Sequence, residues 1–165
     1  MKVLGLDPGL ATVGLAIIEE NNGNIRLEYS DAITTPAKTP HAKRLSSIYT
    51  KILNILDMYK PDVAVLEKLF FNTNVTTAFT VGQARGVIQL ALAQKDVDVA
   101  EYTPMQVKLS LTGYGHAEKN QIQMMVKQVL KLPEILKPDD VADAAAIALT
   151  HCFSYKLEKL KMRGL

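Results

Sequence analysis

Cysteine is almost absent from this chain of 165 residues: Cys152 stands alone. A lone cysteine excludes an internal disulfide framework and fits a reducing, cytoplasmic setting. No apolar run approaches the ~20 residues that span a bilayer, because polar or charged residues interrupt each one early. The opening Met1-Lys2-Val3-Leu4-Gly5-Leu6 meets Asp7 too soon for a signal peptide. Charge of one sign is also lacking. Nineteen basic and seventeen acidic residues leave a net +2, short of a strong nucleic-acid footprint. There is no internal repeat and no compositional break to mark a domain boundary. What remains is ordinary globular composition, 48% hydrophobic and 22% charged. We read one domain over residues 1–165, long enough to bury about two-thirds of its unfolded surface.

The apolar pattern orders the elements. Residues 3–6 form a strand that stops at Asp7-Pro8-Gly9, a turn signal. A second run, 13–18, is followed by Asn21-Asn22-Gly23-Asn24, a hairpin signal into a third strand. Alternation there predicts Ile25, Leu27 and Tyr29 on one face and Arg26 and Glu28 on the other. Thr39 suits a helix cap and Pro40 the first helical position; Leu45, Ile48, Tyr49, Ile52, Leu53 and Leu56 then recur at helical spacing until Lys60-Pro61. Residues 62–67 are apolar on both faces, as in a central strand. A long helix over 75–95 and a short strand over 97–102 follow. Thr103-Pro104-Met105-Gln106 fits a capping box at a short helix. Helices over 117–130 and 139–157 flank a 133–138 linker. The pattern implies a mixed α/β sheet with helices on its faces.

Four acids stand where a buried face would exclude them. Asp7 ends the first strand, Glu67 ends the fourth, and Asp140 and Asp143 share a face near the start of the last helix. Each has a plain reading. Asp7 suits a turn, Glu67 suits a strand end reaching water, and the two aspartates suit the positive end of a helix. The set is harder to explain. Converging carboxylates repel one another unless a cation joins them. Oxygen ligands without Cys or His partners select Mg²⁺ or Mn²⁺ over zinc. Two such ions about 4 Å apart can activate a water and stabilise the leaving oxygen of a phosphodiester.

The first-strand Asp in its Asp-Pro-Gly turn, the Glu67-x-x-Phe70 at the fourth strand and the late Asp140-x-x-Asp143-Ala144 resemble the RuvC Holliday-junction resolvases. Gly82-Gln83-Ala84-Arg85-Gly86, Gln106-Val107-Lys108 and Ala117-Glu118-Lys119 extend the resemblance over nearly the whole chain. It implies a ribonuclease H-like fold, a mixed five-stranded sheet flanked by helices. It implies that Asp7, Glu67, Asp140 and Asp143 are catalytic acids that bind Mg²⁺ or Mn²⁺, two per subunit. It implies that Phe70 stacks on a base, and that Lys108 and Lys119 contact DNA near the cut. The implied activity is paired hydrolysis at four-way DNA junctions in recombination and repair. The implied assembly is a homodimer, partnered by the RuvA–RuvB branch-migration complex, with no membrane. Setting the four acids aside raises the formal charge of the rest from +2 to +6, as phosphate binding requires.

Other features carry two readings each. Phe70 reads equally as core and as a stacking platform worth about 1–3 kcal/mol; Phe71 reads more as packing. Ala78, Gly82 and Gly86 recur every four residues, from tight packing on the sheet or from a two-fold interface. Gly113 to Lys119 fails as a P-loop, since Glu118 precedes the lysine. It remains either a plain helix start or a turn with free N–H groups for a phosphate. His151-Cys152, with no second cysteine, reads as helix residues facing the core or its edge. Lys156, Lys159, Lys161 and Arg163 read as a solvated face. Two other functions fit parts of the pattern. An actin-like or sugar-kinase ATPase also carries a first-strand Asp-x-Gly turn but needs two such domains. A non-catalytic junction-binding module would not need four intact acids.

Overall fold

The computed structural model describes residues 1–68 and 75–162. Five strands, β1 (Lys2–Asp7), β2 (Thr12–Asn21), β3 (Asn24–Thr34), β4 (Val63–Glu67) and β5 (Asp98–Tyr102), form one sheet in the order β3-β2-β1-β4-β5. β1, β2 and β3 run antiparallel in sequence, while β4 and β5 add in parallel to β1. This is the mixed five-stranded sheet expected. The β2–β3 hairpin turns on Asn22 and Gly23, with φ of 51° and 89°, the double positive φ of the tight turn that Asn-Gly favours.

The sheet is covered on both faces. Leu4, Leu6, Leu15 and Ile17 are fully buried against α1 (His41–Tyr59) and α2 (Val75–Gln94), through Ile48, Ile52, Ile88 and Leu92. On the other face Val3, Ala16, Ile18 and Val65 pack against α3 (Pro104–Thr112), α4 (Lys119–Val129) and α5 (Asp139–Met162). The period-2 alternation of β1 feeds both clusters. The small residues of α5, among them Ala144, Ala145 and Ala148, are buried and allow that helix unusually close. A Cβ on Gly5 would lie 2.0 Å from the carbonyl oxygen of Ala144, and one on Gly14 would lie 1.9 Å from that of Asp140. The backbone of α5 therefore rests directly on β1 and β2. Among the described residues no helix is long and apolar enough to cross a membrane.

Three local expectations need correction. Tyr29 does not share a face with Ile25 and Leu27: it packs in the α1/α2 cluster and they pack in the other. The register slips between Ile17 and Ile18, which pair with Tyr29 and Leu27. One extra residue, Glu28, enters β3 there as a bulge and reverses the alternation. At α1 the cap is Pro40 rather than Thr39, and the helix begins at His41. The carbonyl of Pro40 accepts from the N–H groups of Lys43 and Arg44 at 2.9 and 3.1 Å, and Thr39 makes no side-chain cap. Finally, Gly82 and Gly86 do not pack on the sheet. A Cβ at either would meet nothing within 4 Å. They lie on a surface of α2 that also exposes Phe79 and Leu90.

Candidate active site

The sheet order brings two of the four acids together. Leu6 pairs with Leu66 across the parallel β1–β4 ladder, so the next residues on these strands, Asp7 and Glu67, end side by side. α5 crosses above them, held low by Gly5 and Gly14. Its first turns bring Asp140 and Asp143 over the strand ends. Asp7, Glu67 and Asp143 line one cavity of about 220 Å³ with Lys108 of α3 and Lys119 of α4. Asp140 lines an adjoining cleft instead, with Gly9–Thr12, Arg44, Thr80 and Val81.

The electrostatics show a surplus of negative charge. Asp7 is pushed up to about 7 from its ordinary 3.8. Burial is the largest cause, followed by the charges of Asp143, Asp140 and Glu67, with Lys119 opposing. Glu67 is also raised, by burial and then by Asp143, while Lys108 and Arg85 pull it down. Asp140 is thus felt at Asp7 although it faces the neighbouring cleft. Lys119 holds the only counter-charge bonded to the acids of α5 among the described residues: its Nζ lies 2.9 Å from Asp143 Oδ2 and 3.3 Å from Asp139 Oδ2. The bond to Asp143 is the main cause of its raised pKa.

Among the described residues no three acids or histidines already stand in a metal-binding group. The donor set nevertheless fits a hard divalent cation. Every candidate donor is a carboxylate oxygen, which suits Mg²⁺ or Mn²⁺. Burial first and the neighbouring carboxylates second raise Asp7 and Glu67, a balance that a divalent cation would relieve. The Lys119 ammonium, a cation drawn into the set, stands in for part of that charge.

Supporting residues complete the geometry. Lys108 is presented by α3, whose start is fixed by the expected capping box. There Thr103 Oγ1 accepts from Gln106 N–H at 3.1 Å, and Gln106 Oε1 accepts from Thr103 N–H at 2.8 Å. Arg85 carries a role the sequence reading did not assign. It is 8% exposed, and its Nη1 donates to the Glu67 backbone oxygen at 2.6 Å while Nη2 bonds Glu101. It ties α2 to the end of β4 and, through Glu101, to β5. A basic residue beside buried Ala84 and Ile88 in a helix is the signal that could have revealed it. The turn before α4 offers less to a phosphate than its glycines imply. Gln121 Oε1 already accepts from the Glu118 N–H at 2.8 Å, and the Glu118 carboxylate adds negative charge there. Cys152 is buried, and burial pushes its thiol up to about 12. The neighbouring His151 Nδ1 lies 3.0 Å from the Tyr102 hydroxyl, so this pair faces the core and its edge as expected. Phe70 and Phe71 lie outside the described residues, as does Arg163.

Known proteins resemble this chain along most of its length. The family described as crossover junction endodeoxyribonuclease RuvC matches residues 3–151. A protein of that name from Halothermothrix orenii is 52% identical over 159 residues, covering 96% of each chain. Another from Brevibacillus brevis is 54% identical over 151 residues, covering 92% of this chain and 91% of the relative. The structure of Thermus thermophilus RuvC in complex with Holliday junction substrate superposes with a TM-score of 0.91 at 35% identity, covering 96% of each chain. The ribonuclease H-like architecture expected from the sequence is therefore the architecture of the chain.

Proposed function

This chain belongs to the RuvC family of crossover junction endodeoxyribonucleases, and from that premise we propose that it resolves four-way DNA junctions by hydrolysing phosphodiesters at the Asp7–Glu67–Asp143 cavity. The carrying observation is the meeting of three carboxylates with Lys108 and Lys119 in one cavity, with Asp7 pushed up to about 7.

In this reading Asp7, Glu67, Asp140 and Asp143 would hold two divalent ions, Mg²⁺ or Mn²⁺. When bound, such ions polarise a water and offset charge on the leaving oxygen. The protein's own groups do the rest. Partial burial at the strand ends strengthens the charge interactions there. Lys119, once the excess charge on Asp143 is offset, is free to face the scissile phosphate. With Lys108 it stabilises the negative charge that builds during attack. Arg85 holds the end of β4, so the Glu67 carboxylate keeps its place. Phe70, three residues past Glu67, stacks on a base unpaired beside the cut. A second copy docks on the α2 face bearing Phe79, Gly82, Gly86 and Leu90, giving a homodimer whose two sites match the junction's two-fold symmetry. The RuvA–RuvB branch-migration complex is the partner that the family resemblance brings. We read one domain over 1–165; the single sheet shared by both core clusters of the described residues supports that reading. A cytoplasmic place of action fits the reduced thiol of Cys152. The ATPase and binding-module readings lose their footing, because nuclease relatives match nearly the full chain.

The test is cleavage of a labelled four-way junction beside linear duplex and single strand, with Mg²⁺ and with chelator. Symmetric nicks near the crossover that need the ion are expected. Equal cutting of linear duplex, or cutting in chelator, would refute the reading.

A further inference from the structure

We propose that the cleft beside the catalytic cavity is a second DNA-phosphate site with Arg44 as its cationic ligand. The inference rests on the nuclease reading and adds the path of the strand away from the cut. The cleft has a volume of about 390 Å³ and joins the Gly9–Thr12 loop, Arg44, Thr80 and Val81 to Asp140. Asp140 and Asp143 are three residues apart on α5, about 4.5 Å of helix rise. That is close to the axial rise of about 3.4 Å per nucleotide in a duplex. A strand that runs along α5 from the main cavity would bring a phosphate flanking the cut toward the cleft.

Arg44 is held in place for such a contact. Its Nε donates to Thr35 Oγ1 at 2.8 Å and its Nη2 to the Thr35 carbonyl at 3.3 Å. Thr35 is 6% exposed. Its hydroxyl donates to the Leu10 carbonyl at 2.5 Å, and its N–H donates to Ala11 O at 2.9 Å. The guanidinium is thus braced against the β1–β2 loop that forms the cleft's wall. These bonds use two of its five N–H donors, and no carboxylate of the described residues pairs with it. A fixed guanidinium with open donors and no acid partner suits a phosphate, which it can grip with two parallel bonds.

The surroundings favour an anion as well. Between Asp31 and Asp57 the chain carries Lys38, Lys43, Arg44 and Lys51 and no acid. Lys38 and Lys43 are exposed. α1 has no acid in its first turn, so the positive end of its dipole is not neutralised by its own side chains. Among the described residues Asp140 is the one acid lining the cleft, and it belongs to the set that divalent ions would offset. The plain alternative is that Arg44 only braces α1 against the end of β3.

Salt dependence separates the two. Equilibrium binding of a labelled four-way junction to the full chain is measured in chelator between about 50 and about 200 mM salt. Arg44→Gln should lower the slope of log K against log salt by about 0.9, so its deficit shrinks about three- to fourfold across that range. Arg44→Lys should keep the wild-type slope. Neutral methylphosphonates placed singly at the two phosphates on either side of the cut should weaken wild-type binding at one position and leave Arg44→Gln unmoved there. A wild-type slope in Arg44→Gln, or equal methylphosphonate losses in both proteins, overturns the site. If Arg44→Gln fails to fold, the wild-type scan decides alone, and no loss at any of the flanking positions overturns it. A wild type that neither binds nor cuts junctions would instead refute the nuclease reading itself.

Discussion

Gly14 of β2 lies directly beneath the carbonyl oxygen of Asp140 at the start of α5, so close that a Cβ on the glycine would stand 1.9 Å from it. Gly14 is also the sheet partner of Asp7. One missing side chain therefore sets the height of the helix that carries two acids above the strand that carries a third. Gly14→Ala should lift the start of α5, at a cost of about 1–3 kcal/mol, or roughly 2–4 °C of melting temperature per kcal/mol. Cleavage should fall much further than junction binding. A variant that cuts at the wild-type rate would show that the height of α5 does not matter.

Asp7 yields a pH signature without DNA. Its folded pKa, about 7, lies above its ordinary 3.8, so ionising it opposes folding. The penalty is absent where Asp7 is protonated in both states, grows from about pH 4 toward about 7, and is complete above that. Asp7→Asn removes it. In chelator the variant should melt higher than wild type at pH 8, and the difference should shrink at pH 5. Added Mg²⁺ should raise the wild type more than the variant. Melting curves at both pH values check this; a difference that does not change with pH would contradict the crowded-carboxylate account.

Arg85 should act on the site through Glu67. Arg85→Lys keeps the charge but cannot hold both the Glu67 carbonyl and Glu101. Loss of such supporting bonds costs about 10- to 100-fold in metal affinity or activity. The Mg²⁺ titration midpoint for cleavage should move to higher concentration, with junction affinity kept. A lower melting temperature with an unchanged Mg²⁺ midpoint would make Arg85 a packing residue only.

Phe70→Ala should fold, stay dimeric and bind junctions, yet cut them much more slowly. Unstacking a base costs a few kcal/mol, and an aromatic face returns about 1–3 of it. Junctions opened at the centre by mismatches should recover part of the rate. Wild-type cutting of intact junctions by the variant would remove Phe70 from the site.

Much of this was legible in the sequence because it depended on local patterns. Strand ends at Asp7 and Glu67 followed from where apolar runs stop, and the shared face of Asp140 and Asp143 from helical spacing. What was not legible came from non-local contact. The bulge that turns Tyr29 to the other face adds one residue without disturbing composition. Arg85 bonds a backbone carbonyl 18 positions away, which no side-chain pattern records. The openness of Gly82 and Gly86 depends on how α2 rotates over the sheet. The division of the aspartates between two clefts depends on α5 lying on Gly14, a contact between distant segments.

The central claim is that the carboxylates do chemistry rather than hold the fold or the DNA. The direct measurement compares Asp7→Asn with wild type on one labelled four-way junction, recording binding in chelator and single-turnover cutting in Mg²⁺. Cutting should fall by orders of magnitude while binding is kept or tightened, since a negative charge facing phosphate is gone. Equal losses of binding and cutting in a well-folded variant would contradict it.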